Sequence, residues 1–148
     1  MSGIDTAVTA AIKHIGIGTA SSGKTFEFLR KKGFDESVCR DAVEELKKRK
    51  YIDDRKACEK VIAYRSGKKT ESRAYMLSRF EQAGVEKSVG LEVLSSMESD
   101  SQRCYELFSS LGLDKSFDLR EEYLTCAARR GFGYELSSAV FDLYISDV

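Results

Sequence analysis

The chain of 148 residues contains no proline and only 11 glycines. Because proline breaks helices through its ring and its missing N–H group, its absence favours helix throughout. Long apolar runs are absent as well, since no segment approaches the roughly 18 apolar residues that a membrane span requires. The N-terminal residues carry no basic charge ahead of their short apolar stretch, unlike a secretory signal. We therefore expect a helical, cytoplasmic protein without a membrane anchor.

Residue types that bind metals or act as nucleophiles are scarce. His14 is the single histidine, so a site built on two histidines is excluded. The four cysteines lie far apart without a CxxC pair, which is neither a zinc-knuckle spacing nor a dense disulfide scaffold. The acidic pair Asp53 and Asp54 lies at a predicted helix start, where capping is favoured over catalysis. We expect no catalytic, metal or cofactor site, and reduced, mostly buried thiols at Cys39, Cys58, Cys104 and Cys126.

Three segments of the chain can be aligned on a glycine, and the glycines are 51 and 47 residues apart: Gly33, Gly84 and Gly131. An apolar residue follows each glycine, and others recur five, ten and thirteen positions after it. These offsets predict one buried stripe on a helix that begins two or three residues after the glycine. The matching sets are Phe34, Val38, Val43 and Leu46, then Val85, Val89, Leu94 and Met97, then Phe132, Leu136, Phe141 and Tyr144.

The glycine is interpreted as the end of a preceding helix, because glycine adopts left-handed geometry without steric cost. The last apolar turn of that helix would contain Leu29, Phe80 or Ala127, four residues before each glycine. Further helices are predicted near residues 4–15, 54–65 and 100–111, the last with a capping-box pattern from Ser99 to Gln102.

A period of about 50 residues is typical of stacked helical repeats. The sequence therefore predicts an all-α fold made of three tandem three-helix repeats that form an elongated, curved helical stack. The expected boundaries are residues 1–50 for the first repeat, 51–98 for a basic second repeat, and 99–148 for an acidic third repeat.

The net charge is zero, but it is unevenly distributed. Residues 47–79 carry a local charge of +8, and residues 80–148 carry −7. A region this basic attracts a nucleic-acid backbone or an acidic groove on a protein. Tyr51, Tyr64 and Tyr75 could stack on bases if they are exposed. The candidate contact residues are Lys47, Lys48, Arg49, Lys50, Arg55, Lys56, Arg65, Lys68, Lys69, Arg73 and Arg79.

The basic region could instead serve the fold, in either of two ways. The run KKRK, residues 47–50, could complete the last turn of its helix, where cations oppose the helix dipole, while the remaining cations form a solvated face. The acidic last third could also dock against the basic middle, which would leave less charge for a partner.

A phosphate-loop pattern is present at Gly18–Thr25, which reads GTASSGKT and matches GxxxxGK[ST]. The motif binds nucleotide when a buried strand feeds a glycine-rich loop whose amides hold phosphate. Here the preceding segment is alanine-rich and contains Lys13 and His14, which does not suit a buried strand. We expect Ser21 or Ser22 to cap a helix instead.

The stretch GFDESVCRDAVEELKKRKYIDDRKACEKVIAYRSGKK resembles the core of the RecX family, bacterial regulators of the RecA recombinase. CAARRGFGYELSSAV resembles the closing RRGF segment of the same family. Two departures are Ala57, where the family usually has a bulky aromatic, and residues 70–72 before the fifth helix. The family motif is chiefly a packing motif. Together with the repeat, it gives a predicted structural motif made of Gly33, Phe34, Tyr51, Asp53, Asp54, Gly84, Arg130, Gly131 and Phe132.

The resemblance implies a protein that binds the RecA filament on DNA. It implies inhibition of the recombinase, ATPase and coprotease activities of RecA, without a cofactor or chemistry of its own. Separately from the resemblance, we expect a monomer with single- or double-stranded DNA as a further partner. A helical nucleic-acid-binding protein that acts without RecA is the alternative, favoured by the basic region. A nucleotide-dependent enzyme that uses Lys24 is a third, weaker hypothesis.

Overall fold

A computed structural model of the chain describes residues 3–147. Within this range the chain forms nine α-helices and two short 3-10 helices, Gly67–Lys69 and Phe117–Leu119. The all-α class predicted from the sequence is confirmed. The helices are α1 Gly3–Ile15, α2 Ser22–Lys31, α3 Glu36–Lys48, α4 Asp54–Tyr64, α5 Arg73–Gln82, α6 Lys87–Ser95, α7 Asp100–Ser110, α8 Arg120–Arg129 and α9 Tyr134–Ser146.

The three aligned glycines end helices α2, α5 and α8 in left-handed geometry, with φ of +96° at Gly33, +83° at Gly84 and +90° at Gly131. The residue after each glycine donates its N–H to a carbonyl five residues back in the helix. These bonds are Phe34 to Leu29 (3.2 Å), Val85 to Phe80 (3.1 Å) and Phe132 to Ala127 (3.0 Å). The next helix begins three residues after each glycine. The predicted hinge is therefore confirmed at all three places.

The first helices of each predicted triplet, α1, α4 and α7, lie within a residue or so of the expected bounds. The side chain of Ser99 accepts from the Gln102 N–H, and the Gln102 side chain accepts from the Ser99 N–H, so the predicted capping box is confirmed. No helix in the described part of the chain is both long and apolar enough to cross a bilayer.

The described residues divide into two compact units. The first contains residues up to Lys60 together with Phe80–Val93, and the second contains Val61–Arg79 together with the residues from Leu94 onward. This division into two units does not test the repeat boundaries at residues 50 and 98, which stay a prediction.

The core of the first unit lies where α1, α2 and α3 pack on one another. Small side chains face large ones there, with Ala7, Ala11 and Ala42 fully buried beside Leu29 and Leu46. The alanines allow the helices to approach closely, and the leucines fill the remaining space.

The core of the second unit is aromatic and lies between α7, α8 and α9. The ring of Phe108 packs edge-on against Tyr123 and Phe141, with centroids 5.2 and 6.4 Å apart. The hydroxyl of the fully buried Tyr123 donates to the carbonyls of Leu113 and Asp114 at 3.0 Å each. The chain therefore repeats the hinge without repeating the composition of the core.

Candidate nucleic-acid interface

The basic run KKRK straddles the end of α3. Lys47 and Lys48 lie in the last turn of the helix, and Arg49 and Lys50 follow in the turn to α4. The Lys50 N–H donates to the Lys47 carbonyl, and the Tyr51 N–H donates to the Leu46 carbonyl, both at 3.0 Å. Lys50 itself has φ of +64°. This helix end thus uses the same geometry as the three hinges, but with a lysine in place of glycine.

Several of the predicted contact residues in the first unit are paired with carboxylates. The Lys47 ammonium lies between Glu44, at 2.9 Å, and Glu86. Burial lowers the pKa of Lys47, but hydrogen bonds to Glu86 and Glu44 outweigh it, so the net shift is upward. Arg49 pairs with Glu45 at 3.0 Å.

Arg55, a further predicted contact residue, pairs with Glu92. Both Glu86 and Glu92 belong to the acidic last third of the sequence. The docking alternative is therefore correct for two cations, Lys47 and Arg55.

Four lysines between the end of α3 and the middle of α4 have no carboxylate partner among residues 3–147. Lys48, Lys50 and Lys56 are exposed, as is Lys60, which was not among the predicted contact residues. The side chain of Asp53 caps α4 by accepting from the backbone N–H of Lys56 at 3.1 Å. In the first unit, the unpaired charge of the basic region therefore lies on these four lysines.

In the second unit, three predicted contact residues are used internally. Arg79 donates to both oxygens of Glu71 at 3.0 Å, and Arg65 lies 3.9 Å from the same carboxylate. Glu71 is only 1% exposed, so these arginines stabilise a buried charge. The guanidinium of Arg73 donates to the Leu94 carbonyl at 2.9 Å. These three arginines therefore make contacts within the fold, and their contact with a partner stays a prediction.

Lys68 and Lys69 lie in the short 3-10 helix and are exposed. The Lys69 ammonium lies 3.8 Å from the centroid of the Tyr64 ring, and the Arg65 guanidinium lies 5.1 Å from it. A hydrogen bond with Lys69 lowers the pKa of the exposed Tyr64 hydroxyl. Tyr51 is half-buried. Tyr64 is 61% exposed and Tyr75 is 43% exposed, so Tyr64 is the most exposed of the three tyrosines in the basic region.

The phosphate-loop segment forms a helix start rather than a nucleotide site. Ser21 caps α2, because its hydroxyl accepts from the Lys24 N–H at 3.3 Å, as predicted. The Ser22 N–H donates to the Asp54 carboxylate and the Gly23 N–H donates to the Gly84 carbonyl, each at 2.7 Å. A phosphate would have to displace these acceptors, one of them a carboxylate, to reach the amides.

Gly23, the glycine of the GKT triplet, is required by this close approach. A Cβ at position 23 would lie 2.7 Å from the Gly84 carbonyl oxygen. A Cβ at Gly84 would in turn lie 2.5 Å from the Ser21 hydroxyl and 2.8 Å from the Lys24 nitrogen. The backbone contact therefore explains the glycine that makes the segment look like a phosphate loop.

Asp54 is the main acceptor in the first junction, by which we mean the place where the start of α2 meets the start of α4 and residues 84–86. Its carboxylate accepts from the Ser22 hydroxyl at 2.6 Å and from the Glu86 N–H at 2.9 Å, in addition to the Ser22 N–H, and it is 7% exposed. Ile52, two residues earlier, is buried and forms a single parallel bridge with Ala20. In this bridge the Ala20 N–H donates to the Tyr51 carbonyl at 3.1 Å, and the Asp53 N–H donates to the Ala20 carbonyl at 3.0 Å. The YIDD segment therefore acts in packing and helix capping.

The second unit contains an equivalent junction that was not predicted from the sequence. The Ser72 hydroxyl accepts from the Tyr75 N–H at 3.2 Å, and Asp100, the first residue of α7, accepts from the Arg73 N–H at 2.8 Å. The Ser72 N–H donates to the Arg130 carbonyl at 2.9 Å, directly before Gly131.

A sequence signal for this second junction does exist. Ser21 and Ser72 each lie twelve residues before a hinge glycine, whereas Leu119 holds that position before Gly131. Leu119 makes no side-chain cap bond at α8.

No protein-family model matches the chain. No curated protein matches it either. Among solved structures, the chain is similar to the crystal structure of RecX from Lactobacillus salivarius, with a TM-score of 0.70 and 12% sequence identity over 96% of each chain. At this identity the similarity concerns the fold. The chain therefore has a RecX-like, all-helical fold.

Proposed function

We propose that this protein is a RecX-like regulator that binds the RecA filament on DNA and inhibits its recombinase, ATPase and coprotease activities. The observation that carries the proposal is the likeness to RecX over 96% of both chains. A second support comes from a segment that resembles the family, because the Asp54 carboxylate of the YIDD turn accepts the hydrogen bonds of the first junction. Sequence motif and fold thus point to the same family through different features.

The proposed mode of action is occupancy of the filament rather than chemistry. The acidic residues that could serve a reaction are engaged in the fold, since Asp53 caps α4 and Asp54 accepts three hydrogen bonds. The surface available to a partner is instead marked by unpaired lysines, Lys48, Lys50 and Lys56 among them. Such side chains attract polyanions and raise association rates without a bond-breaking step.

Co-sedimentation with RecA filaments, assembled on single-stranded DNA with a slowly hydrolysed ATP analogue, tests the proposal directly. The protein should pellet with the filaments and should slow DNA-dependent ATP hydrolysis by RecA as its concentration rises. The triple variant Lys48→Glu, Lys50→Glu, Lys56→Glu should pellet less, and Lys87→Glu, at another exposed lysine, is the matched control. Failure of the wild-type protein both to pellet and to slow hydrolysis would exclude this function.

A nucleic-acid-binding protein that acts without RecA is the second candidate, and the same unpaired lysines favour it. It requires salt-sensitive affinity for DNA alone, with a slope that reflects several phosphate contacts. Unchanged affinity in the triple variant would exclude this surface. The two candidates differ because only the first requires an effect on RecA.

A nucleotide-dependent enzyme has no support at Gly18–Thr25, because Ser21, Asp54 and Gly84 occupy the first amides of α2. We expect no thermal shift with magnesium and ATP.

A further inference from the structure

Lys50 adopts a backbone conformation that the equivalent helix ends leave to glycine. Within residues 3–147, seven glycines have positive φ, and Lys50 is the one residue of another type that does. The ends of α2, α5 and α8 use glycine with the same pattern of back-bonding. A side chain with a Cβ costs free energy in this region that glycine avoids. Local geometry at the end of α3 thus favours glycine, yet the chain has a lysine.

Among residues 3–147, no hydrogen bond or ion pair of the Lys50 side chain compensates for this cost. The Lys50 side chain is exposed and pairs with no carboxylate among the described residues. It lines a surface depression of about 430 Å³ with Arg55, and the three acids of that depression are already engaged, Asp53 as the cap of α4. Asp54 accepts from α2, and Glu86 pairs with Lys47. Strain that packing does not offset is a reason to look for a ligand.

The charges that the first unit leaves unpaired indicate the chemistry of that ligand. Lys48, Lys56 and Lys60 are exposed and unpaired in the same unit, and the last two are one helical turn apart on α4. The arginines beside them, Arg49 and Arg55, are held by carboxylates. Free lysines with paired arginines suit point-charge contacts to phosphate and do not suit bidentate reading of bases.

We propose that the turn between α3 and α4 binds the phosphate backbone of a nucleic acid, and that Lys50 holds its unfavourable conformation to present an ammonium to one phosphate. The inference deepens the proposed function and rests on it for the place of encounter, which would be the DNA of the filament. It assigns contact with nucleic acid to the lysines, and it assigns Lys47, Arg49 and Arg55 to the fold.

Lys50→Gly separates this proposal from a purely structural role, because the two roles move stability and binding in opposite directions. Relief of the left-handed strain should raise Tm by about 2–4 °C in a chain of this size. Affinity for a fluorescent 30-base-pair duplex should fall about threefold to tenfold, with a salt slope lower by about one. Lys50→Asn, which also tolerates this conformation, should lose affinity similarly.

Two controls test charge and position. Lys50→Arg keeps the charge and the strain, and it should retain both the wild-type Tm and the wild-type affinity. Lys24→Ala removes an exposed charge elsewhere in the first unit and should change neither. Poly-glutamate should compete far less well than DNA, since the proposed ligand is a phosphate backbone and not an acidic protein.

Full affinity and an unchanged salt slope in Lys50→Gly would overturn the proposal, as would equal competition by poly-glutamate. A Tm that does not rise in this variant would refute the strain at Lys50. If the wild-type protein binds DNA through Lys50 but has no effect on RecA, the proposed function fails and this inference stands. If it inhibits RecA without affinity for free duplex or single strands, the inference fails and the proposed function stands.

Discussion

The junction around Asp54 in the first unit and the junction around Asp100 in the second satisfy the same need with different side chains. Each begins with a serine that caps a helix, Ser21 or Ser72, and each supplies a carboxylate to the next amide of that helix. The start of a helix leaves free N–H groups that must find acceptors when buried. The comparison shows that the repeat is defined by how helix ends are satisfied more than by the core.

The two junctions differ in the residue that precedes the serine. In the first unit this residue is Ala20, whose backbone forms the parallel bridge with Ile52. In the second it is Glu71, whose buried carboxylate is held by Arg79 and whose carbonyl accepts from Arg103 at 2.8 Å. Backbone pairing in one junction is thus replaced by charged side chains in the other.

Replacement of the hinge glycines should give the largest effects and should rank the junctions. We expect Gly84→Ala to cost about 4 kcal/mol, because a left-handed alanine is strained and its Cβ would meet the Lys24 backbone nitrogen. Gly131→Ala should cost about 3 kcal/mol, since the obstructing Ser72 and Tyr75 atoms are on side chains that can shift. Urea unfolding followed by circular dichroism measures both.

Gly33→Ala is the control for the strain alone, because nothing lies within 4 Å of the added Cβ. It should cost only about 1–2 kcal/mol. Equal losses for Gly33→Ala and Gly84→Ala would show that the close backbone approach at Gly84 contributes nothing.

Removal of the two junction carboxylates should separate the junctions further. Asp54→Ala leaves the Ser22 N–H, the Ser22 hydroxyl and the Glu86 N–H without their acceptor, which should cost about 3 kcal/mol. Asp100→Ala removes the bond from the Arg73 N–H at a half-buried site and should cost about 1 kcal/mol. If the order of these two losses were reversed, Asp54 would not be the main acceptor of the first junction.

Glu71→Ala tests the side chain that distinguishes the second junction. The variant has alanine before its capping serine, as the first junction does at Ala20. We expect a loss of about 2 kcal/mol, because Arg79 and Arg65 lose their buried partner but can reach solvent. Glu121→Ala is the matched control at an exposed carboxylate that lies 3.8 Å from the half-buried Arg120, and it should cost less than about 0.5 kcal/mol. Similar losses for both variants would contradict a structural role for the buried ion pair.

The hinges could be predicted because glycine is needed wherever the chain turns left-handed, and the apolar stripe follows from helix periodicity. The burial of the position six residues after each glycine could not be predicted. That position is occupied by Cys39, Gly90 and Ser137, all of which are buried, whereas the predicted position five residues after is only partly buried. These three residues share small size and no common polarity, so a hydrophobic pattern misses them.

The candidate interface was less predictable than the fold, because pairing depends on distant partners. Lys47 and Arg55 count as free cations in the sequence, but Glu86 and Glu92, 39 and 37 residues away, neutralise them. A charged residue is also expected at the surface, so the burial of Glu71 had no local signal. Only the fold brings these opposite charges together.

Two buried thiols, Cys58 in the first unit and Cys104 in the second, should produce the smallest difference. Burial raises the pKa of Cys58 to about 11 and that of Cys104 to about 12, from an ordinary value of 9.0. The unfolded chain therefore loses these protons first, so this contribution to stability is complete below pH 9 and is lost as the pH rises toward 11 or 12.

Between about pH 8 and pH 10 the free energy of unfolding should fall by about 1 kcal/mol for each of these two thiols. Cys104→Ala should remove its share of that fall, measured by urea unfolding at both pH values, and Cys58→Ala should do the same in the first unit. Cys126→Ala, at a half-exposed thiol, is the control for loss of a sulfur atom. Above about pH 11 the contributions of the two thiols to the pH dependence of stability should differ, because Cys58 ionises in the folded protein before Cys104 does. The further destabilisation of the wild-type protein between about pH 11 and 12 should therefore be reduced more by Cys104→Ala than by Cys58→Ala. Equal reductions would mean that the aromatic core of the second unit shields its thiol no better than the first unit does.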